Sequence, residues 1–156
     1  MKRIIYIAIA LITLAFTSCE KEDVGGTATQ AMSGDWVMTF TDGTNSWTAP
    51  HALTFNTSAN LPDEIWVSDA GGFWDFQVKA ACDQSTMTFQ TDGWAQNVAY
   101  DCKVRITNGK ISFNSVTLPS GRVVDGISYD IEFDDDEDAI VWHATGRRYT
   151  GFAEDN

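Results

Sequence analysis

Histidine is scarce in this chain, which has only His51 and His143 among its 156 residues. The sequence also lacks the Gly-x-Ser-x-Gly segment of many serine hydrolases and the His-Glu-x-x-His segment of zinc metalloproteases. A serine triad would need one of these histidines beside a hydroxyl group and an acid. We therefore predict no catalytic residues, no resident metal and no cofactor. If a general base is required, His143 is the candidate, although the simpler interpretation places it in solvent beside a core tryptophan.

Basic residues are also few. The chain has 10 lysines and arginines against 22 aspartates and glutamates, which gives a formal net charge of −12. A surface this negative repels nucleic-acid phosphates and anionic lipid head groups. Composition therefore excludes nucleic acid as a partner and membrane attachment through a basic patch. Five of the acids are consecutive, at residues 134–138. This run lacks the spaced acids of a calcium-binding loop, so we expect a solvated loop and no metal site there.

No apolar run is long enough to cross a bilayer as a helix, which takes about 20 residues. The longest run spans only residues 4–16. Two basic residues precede it and two small residues follow it, a pattern typical of a secretory signal. Cys19 comes next, and the segment FTSC resembles the bacterial lipobox, in which the cysteine thiol receives a diacylglycerol. The alternative is a plain secreted protein in which Cys19 is incidental.

The lipobox resemblance divides the chain into three parts. Residues 1–18 would be a lipoprotein signal peptide, residues 19–32 a lipidated flexible tether, and residues 33–156 a single globular domain. Acyl chains on Cys19 would attach the domain to a membrane, since each buried methylene contributes about 0.8 kcal/mol. The segment Glu20-Lys21-Glu22-Asp23 resembles the acidic export signal of lipoproteins displayed on the cell surface. The alternative is a solvated start of the tether. The expected location is extracytoplasmic, in the cell envelope and anchored to the bacterial outer membrane, with the leaflet left open.

Cysteine is otherwise nearly absent, since only Cys82 and Cys102 remain after Cys19. In an oxidising compartment these two could form a disulfide, which would stabilise the fold by roughly 3 kcal/mol. They could equally be two separate core residues. The sequence leaves both options open, because it does not give the Cα separation that a disulfide needs.

From about residue 35 onward, apolar residues recur at every second position. The alternation is clear in residues 74–80, 98–106 and 127–133, where apolar side chains alternate with polar or charged ones. Such a pattern is typical of antiparallel strands with one buried face. Turn segments such as Asn108-Gly109 separate about nine strand candidates. We predict an all-β fold whose strands follow an up-and-down order and close into a barrel, with a β-sandwich as the alternative.

Four segments of the chain share their pattern with a known family: GGTATQAMSGDW (25–36), EIWVSDAGGFWDFQVK (64–79), residues 91–111, and GRRYTGF (146–152). In these segments the chain resembles the bacterial "lipid-binding putative hydrolase" lipoproteins. The resemblance implies an antiparallel eight-stranded barrel of the calycin, or lipocalin-like, type. The family name implies lipid binding and hydrolysis, but it brings no catalytic residues that could be transferred to this chain.

Aromatic residues give the main indication of function, because they make up 12% of the chain and include six tryptophans. An eight-stranded barrel can be packed solid or can hold one small ligand. We predict a non-catalytic site for a small apolar or lipid-like ligand, with a filled core as the alternative. The interior candidates are Trp36, Phe40, Phe55, Trp74, Phe76, Phe89, Tyr100, Phe113, Tyr129 and Phe133.

Two other functions are compatible with the sequence. The first is a surface module for proteins or glycans, in which a filled barrel would expose Trp47, Trp66 and Trp94 near its turns. The second is a weak hydrolase, which would require a histidine within hydrogen-bond reach of a nucleophile in a cleft.

Overall fold

The computed structural model describes residues 25–155, where the regular structure consists of nine β-strands and two short 3₁₀-helices. The strands are β1 (Gly34–Thr41), β2 (Ser46–Asn56), β3 (Glu64–Ser68), β4 (Gln77–Asp83), β5 (Thr88–Gln90), β6 (Ala95–Gln96), β7 (Lys103–Thr117), β8 (Val123–Phe133) and β9 (Trp142–Arg148), and the 3₁₀-helices are Gln30–Met32 and Ala153–Asp155. The all-β class is therefore confirmed. Within this part of the chain, no helix has the length and apolar character needed to span a bilayer. The predicted signal peptide and Cys19 lie outside the described residues.

Eight of the strands close into an antiparallel barrel. β1 to β5 pair in succession, β7, β8 and β9 continue the sheet, and β9 pairs with β1. The seam that closes the barrel joins β5 to β7 through two register pairs, Thr88 with Lys110 and Phe89 with Gly109. β6 is a short extra strand that pairs with β7. The predicted eight-stranded barrel is confirmed over the alternative sandwich.

Trp36 fills one end of the barrel, where β1 begins. Its ring is fully buried, and its Nε1–H donates a hydrogen bond of 2.9 Å to the Thr54 hydroxyl, which in turn donates to the carbonyl oxygen of Met32. The Arg148 guanidinium lies 4.3 Å from the centre of the ring. Met32 is buried although it belongs to the segment predicted as a tether, residues 19–32. The packed part of the chain therefore begins before residue 33.

Six of the ten predicted interior residues lie in the core, Trp74 is half-buried against it, and the other three lie outside. The buried candidates are Trp36, Phe40, Phe76, Phe89, Tyr129 and Phe133. Their burial follows from the alternation: in β1, for example, every second residue from Trp36 to Phe40 is buried. Burial, with a smaller contribution from the negative charge of Asp69, raises the pKa of the Tyr129 hydroxyl well above its ordinary value.

Phe55 lies on the outer wall because β2 contains a bulge. The β1–β2 register gains one residue in β2 between Ala49 and Ala52, and both alanines are buried. The extra residue changes which side chains face the core. Thr54 is therefore buried, and Phe55 stacks on Trp66 with ring centroids 6.3 Å apart. The prediction that Phe55 lines the interior is wrong for this reason.

Tyr100 and Phe113 also lie outside the core, with 37% and 53% of their surfaces exposed. Tyr100 belongs to the segment between β6 and β7, where strand alternation does not apply. Phe113 lies in an irregular part of β7, whose register with β8 shifts between Ser112 and Val116. Both predictions of an interior position are wrong, because alternation holds only within a regular strand.

The two described cysteines are free thiols, so the disulfide option is not realised in the structure. Cys82 lies in β4 and makes a weak hydrogen bond of 3.7 Å to the carbonyl oxygen of Pro62. Burial, together with the negative charge of Asp63, raises the pKa of the Cys82 thiol to about 11. Cys102 is buried and accepts a hydrogen bond of 3.4 Å from the Asn97 side chain.

Candidate functional site

At the end of the barrel opposite Trp36, aromatic rings connect the core to the surface. We call this set the mouth cluster, and it consists of Phe40, Trp47, Phe73, Trp74, Phe133 and Trp142. β1 and β8 end here, and β2 and β9 begin here, because antiparallel neighbours bring the end of one strand beside the start of the next. Four of the rings therefore come from strand ends, and the other two come from the loop between β3 and β4.

Phe73 lies at the centre of the mouth cluster. Its ring stacks on Phe40 with centroids 4.3 Å apart, and it lies 4.9 Å from Trp142 and 6.1 Å from Trp47. Trp47 is the register partner of Phe40 and shares its inward-facing side, but its position at the rim leaves it 48% exposed. The cluster thus forms a continuous aromatic path from solvent at Trp47, through Phe73, to the buried ring of Phe40.

The β3–β4 loop that carries Phe73 is held by one buried carboxylate, that of Asp69. Five backbone N–H groups donate to its two oxygens at 2.8–3.1 Å; the donors belong to Gly71, Phe73, Trp74, Asp75 and Phe76. Asp69 itself is fully buried. We call residues 70–75 the plug loop. Its backbone is fixed by these charge-assisted hydrogen bonds, which are stronger than neutral ones.

Sequence reasoning placed Trp74 in a strand, and this is wrong. β4 begins only at Gln77, and the preceding residues turn sharply, with left-handed φ angles of 51° at Ala70, 74° at Gly71 and 57° at Asp75. Trp74 is half-buried in the loop and stacks on Phe133 with centroids 4.7 Å apart. The segment Asp-Ala-Gly-Gly was the available signal, since an aspartate before glycines favours a turn closed by its own side chain.

The side chains of the two histidines face outward from the barrel, each beside an aspartate. His143 Nδ1 is 2.6 Å from Asp130, and His51 Nδ1 is 3.0 Å from Asp35. Hydrogen bonds from Asn108 and then from His143 hold the pKa of Asp130 below its ordinary value. Within residues 25–155, neither histidine is hydrogen-bonded to a serine or threonine hydroxyl. The solvent-facing interpretation of His143 agrees with this position, since its side chain is largely exposed.

A group of potential metal ligands lies beside the mouth. Cys102 Sγ and one carboxylate oxygen each of Asp134 and Asp135 lie within 4.8 Å of one another, close enough for one ion. The Tyr100 hydroxyl donates to Asp135 at 2.6 Å. Its pKa is raised by desolvation and then by this hydrogen bond. Because the two aspartates are exposed, and exposed carboxylates commonly cluster without an ion, we assign no metal to this group.

Two open clefts lie at the surface of the barrel. The larger has a volume of about 610 Å³ and lies at the seam, where Asp83, Gln90 and Lys110 contribute to its lining. The second has about 480 Å³ and is lined in part by Glu64 and Lys79. Neither cleft is lined by the mouth cluster. Because rings such as Phe40, Phe76 and Tyr129 pack against one another in the core, an apolar ligand that enters the barrel would displace side chains.

The three tryptophans considered for an exposed platform lie in separate places. Trp47 belongs to the mouth cluster, Trp66 stacks on Phe55 at the outer wall, and Trp94 is 43% exposed and packs against Arg105. They do not form one aromatic patch. Of the three, Trp47 is the one that joins an exposed ring to the core.

Comparison with known protein families gives one match. Residues 21–153 match the family described as "lipid-binding putative hydrolase", and this range includes all nine strands, the plug loop and the mouth cluster. A search of curated proteins finds no match.

Proposed function

Since the chain belongs to the lipid-binding putative hydrolase family, we propose that it binds a small lipid-like molecule at the mouth cluster. The apolar chain of the ligand takes the place of the Phe73 ring. One observation carries this proposal: a ring from a loop, rather than from a strand, fills the opening between exposed Trp47 and buried Phe40. Because Asp69 fixes the plug backbone, only the Phe73 side chain has to rotate outward.

The exchange is energetically reasonable. Phe73 contacts five rings of the core and mouth, and an alkyl chain in the same space would restore most of that apolar contact. Burial of apolar surface contributes about 25 cal/mol per Å², so a chain of several methylene groups supplies the driving force for binding. The exposed face of Trp47 would cover the part of the ligand nearest to solvent.

We propose binding without hydrolysis. The side chains of His51 and His143 pair with aspartates on the outer wall and do not belong to the mouth cluster. The pKa of about 11 keeps the Cys82 thiol protonated at neutral pH, whereas the thiolate is the nucleophile in cysteine enzymes. These features support a carrier or receptor for a lipid-like molecule.

Replacing Trp47 with alanine tests the site. We expect it to weaken the binding of N-phenyl-1-naphthylamine, a neutral apolar probe, by about tenfold, because the ring would cover the bound probe. Fluorescence titration of the domain measures this. Trp94→Ala is the matched control, since Trp94 is similarly exposed but packs on Arg105 at the outer wall. It should change the affinity by less than about twofold.

The position of the ligand is tested by Phe73→Ala. If the probe occupies the space of the Phe73 ring, the variant should bind it more tightly than the wild type, because no ring has to be displaced. Equal losses in Trp47→Ala and Trp94→Ala, or no saturable binding to the wild type, would contradict the proposed site.

We further propose that Cys19 carries the lipid anchor and that the domain lies at the outer membrane, outside the cytoplasm. The signal-like leader and the FTSC segment support this proposal. The described chain begins near the end of the barrel that contains Trp36, where the N–H of Ala28 donates to the carbonyl oxygen of Ala59. An anchor on that side would turn the mouth cluster away from the bilayer.

Cys19→Ser should move the protein from the membrane fraction to the soluble fraction of its host. It should also abolish labelling by an alkyne analogue of palmitate. Cys82→Ser provides the matched control, and it should retain both the label and the membrane location. Persistence of the label in Cys19→Ser would show that the anchor is elsewhere.

A further inference from the structure

The mouth cluster contains a buried hydrogen-bond donor without an acceptor. Trp142 is only 4% exposed, and within residues 25–155 its Nε1–H has no hydrogen-bond partner. The indole nitrogen can only donate, and a buried tryptophan usually finds an acceptor for it. Burying an unsatisfied donor is costly, so its position among rings requires an explanation.

The neighbours of Trp142 are the rings that bound the proposed ligand. Phe73 lies 4.9 Å away and Trp47 lies 5.3 Å away, both roughly perpendicular to the indole, and Trp74 lies 6.4 Å away. When the Phe73 ring rotates outward, the Trp142 indole borders the vacated space. A ligand in that space can then present an acceptor to the Nε1–H group.

The charge at the mouth limits what this acceptor can be. The β8–β9 loop carries the five acids of residues 134–138, the plug loop carries Asp75, and the β1–β2 turn carries Asp42. Lys103, at the start of β7, is a cation close to the acidic loop, since the N–H of Asp134 donates to its carbonyl oxygen. The loops around the mouth therefore carry more acidic residues than basic ones, and their net negative charge would repel an anionic head group.

We propose that the mouth selects an amphiphile with an uncharged oxygen acceptor, such as an ester or amide carbonyl, and that Trp142 Nε1–H donates to that oxygen. This inference rests on the proposed function and names the chemical class of its ligand. The apolar chain fills the position of Phe73, the carbonyl lies against the indole nitrogen, and the acidic rim excludes free fatty acids.

Three compounds with the same chain test the inference by displacement of N-phenyl-1-naphthylamine at pH 8: octane, methyl octanoate and octanoate. For the wild type, we expect methyl octanoate to bind about tenfold more tightly than octanoate. Trp142→Phe should weaken methyl octanoate binding by about fivefold to tenfold, because one hydrogen bond is lost. The affinity of the Trp142→Phe variant for octane and for the probe should differ from that of the wild type by less than about twofold. Trp94→Phe is the matched control and should leave all affinities unchanged.

A direct readout is the indole N–H resonance of Trp142 in ¹⁵N-labelled protein, which should shift downfield with methyl octanoate but not with octane. Because this measurement uses the wild type, it tests the hydrogen bond from Trp142 to the ester even if Trp142→Phe does not fold. Equal weakening of octane and ester binding in Trp142→Phe would overturn the inference and assign the indole a packing role. Octanoate binding as tight as ester binding would overturn the charge argument. If no compound and no probe binds the wild type, the proposed function itself is wrong.

Discussion

Asp69→Asn is expected to lower the free energy of unfolding by about 3 kcal/mol or more. The buried Asp69 carboxylate accepts hydrogen bonds from five backbone N–H groups. An asparagine side chain keeps the shape but replaces one acceptor oxygen by an NH₂ group. That group would face N–H donors such as those of Phe73 and Trp74, so several buried donors would lose their acceptor. Denaturation in guanidinium chloride, followed by tryptophan fluorescence, measures the change.

The substitution should also loosen the plug loop specifically. We expect a weaker near-ultraviolet circular dichroism signal, because Trp74 would no longer be fixed on Phe133. Asp75→Asn is the matched control in the same loop: Asp75 is exposed, and asparagine tolerates its left-handed φ of 57°. A stability loss in Asp69→Asn no larger than that in Asp75→Asn would show that the carboxylate does not hold the loop.

Gly109→Ala should open the seam of the barrel and lower the melting temperature by about 10 °C. An added Cβ would lie only 2.2 Å from the Phe89 carbonyl oxygen and 2.6 Å from the Phe89 ring. β5 is three residues long, and only two register pairs join it to β7. The backbone must therefore separate where the barrel has the fewest register pairs between neighbouring strands. Thermal unfolding by circular dichroism tests the effect on stability.

Hydrogen exchange distinguishes seam opening from general destabilisation. The amide of Ile111, which donates to Met87 across the seam, should exchange faster in Gly109→Ala than the amides of β1. Gly25→Ala adds the same methyl group where no atom lies within 4 Å, and its melting temperature should match that of the wild type. Uniformly faster exchange across all strands would contradict a local opening at the seam.

Phe73 shows what the structure adds to the prediction that the sequence makes about the barrel interior. The abundance of aromatic residues indicated an apolar ligand site or a filled core, and it left the choice open. The structure shows a core filled by rings such as Phe40 and Phe76, with an additional ring from a loop at the opening. Phe73 was not among the predicted interior residues, because strand alternation says nothing about the direction of a loop side chain.

The local interactions of the sequence determined the class of the fold. Alternation of apolar and polar residues specifies which side of a regular strand is buried, and for Trp36 and Phe40 this alone predicted the core. Glycine turns and the absence of a long helical pattern specified antiparallel strands. The leader and the position of Cys19 were likewise readable as local patterns, and they remain predictions about residues outside the described part of the chain.

Only the tertiary structure decided which rings meet at the mouth and how the barrel closes. The outward position of Phe55 depends on one extra residue in β2, and the burial of Asp69 depends on five amides that converge in space. The seam at Gly109 pairs strands that are not consecutive in the chain. Such features arise from long-range packing and register, in which a shift of one residue reverses the face of every side chain that follows. The residue pattern of a single strand does not predict where such a shift in register occurs.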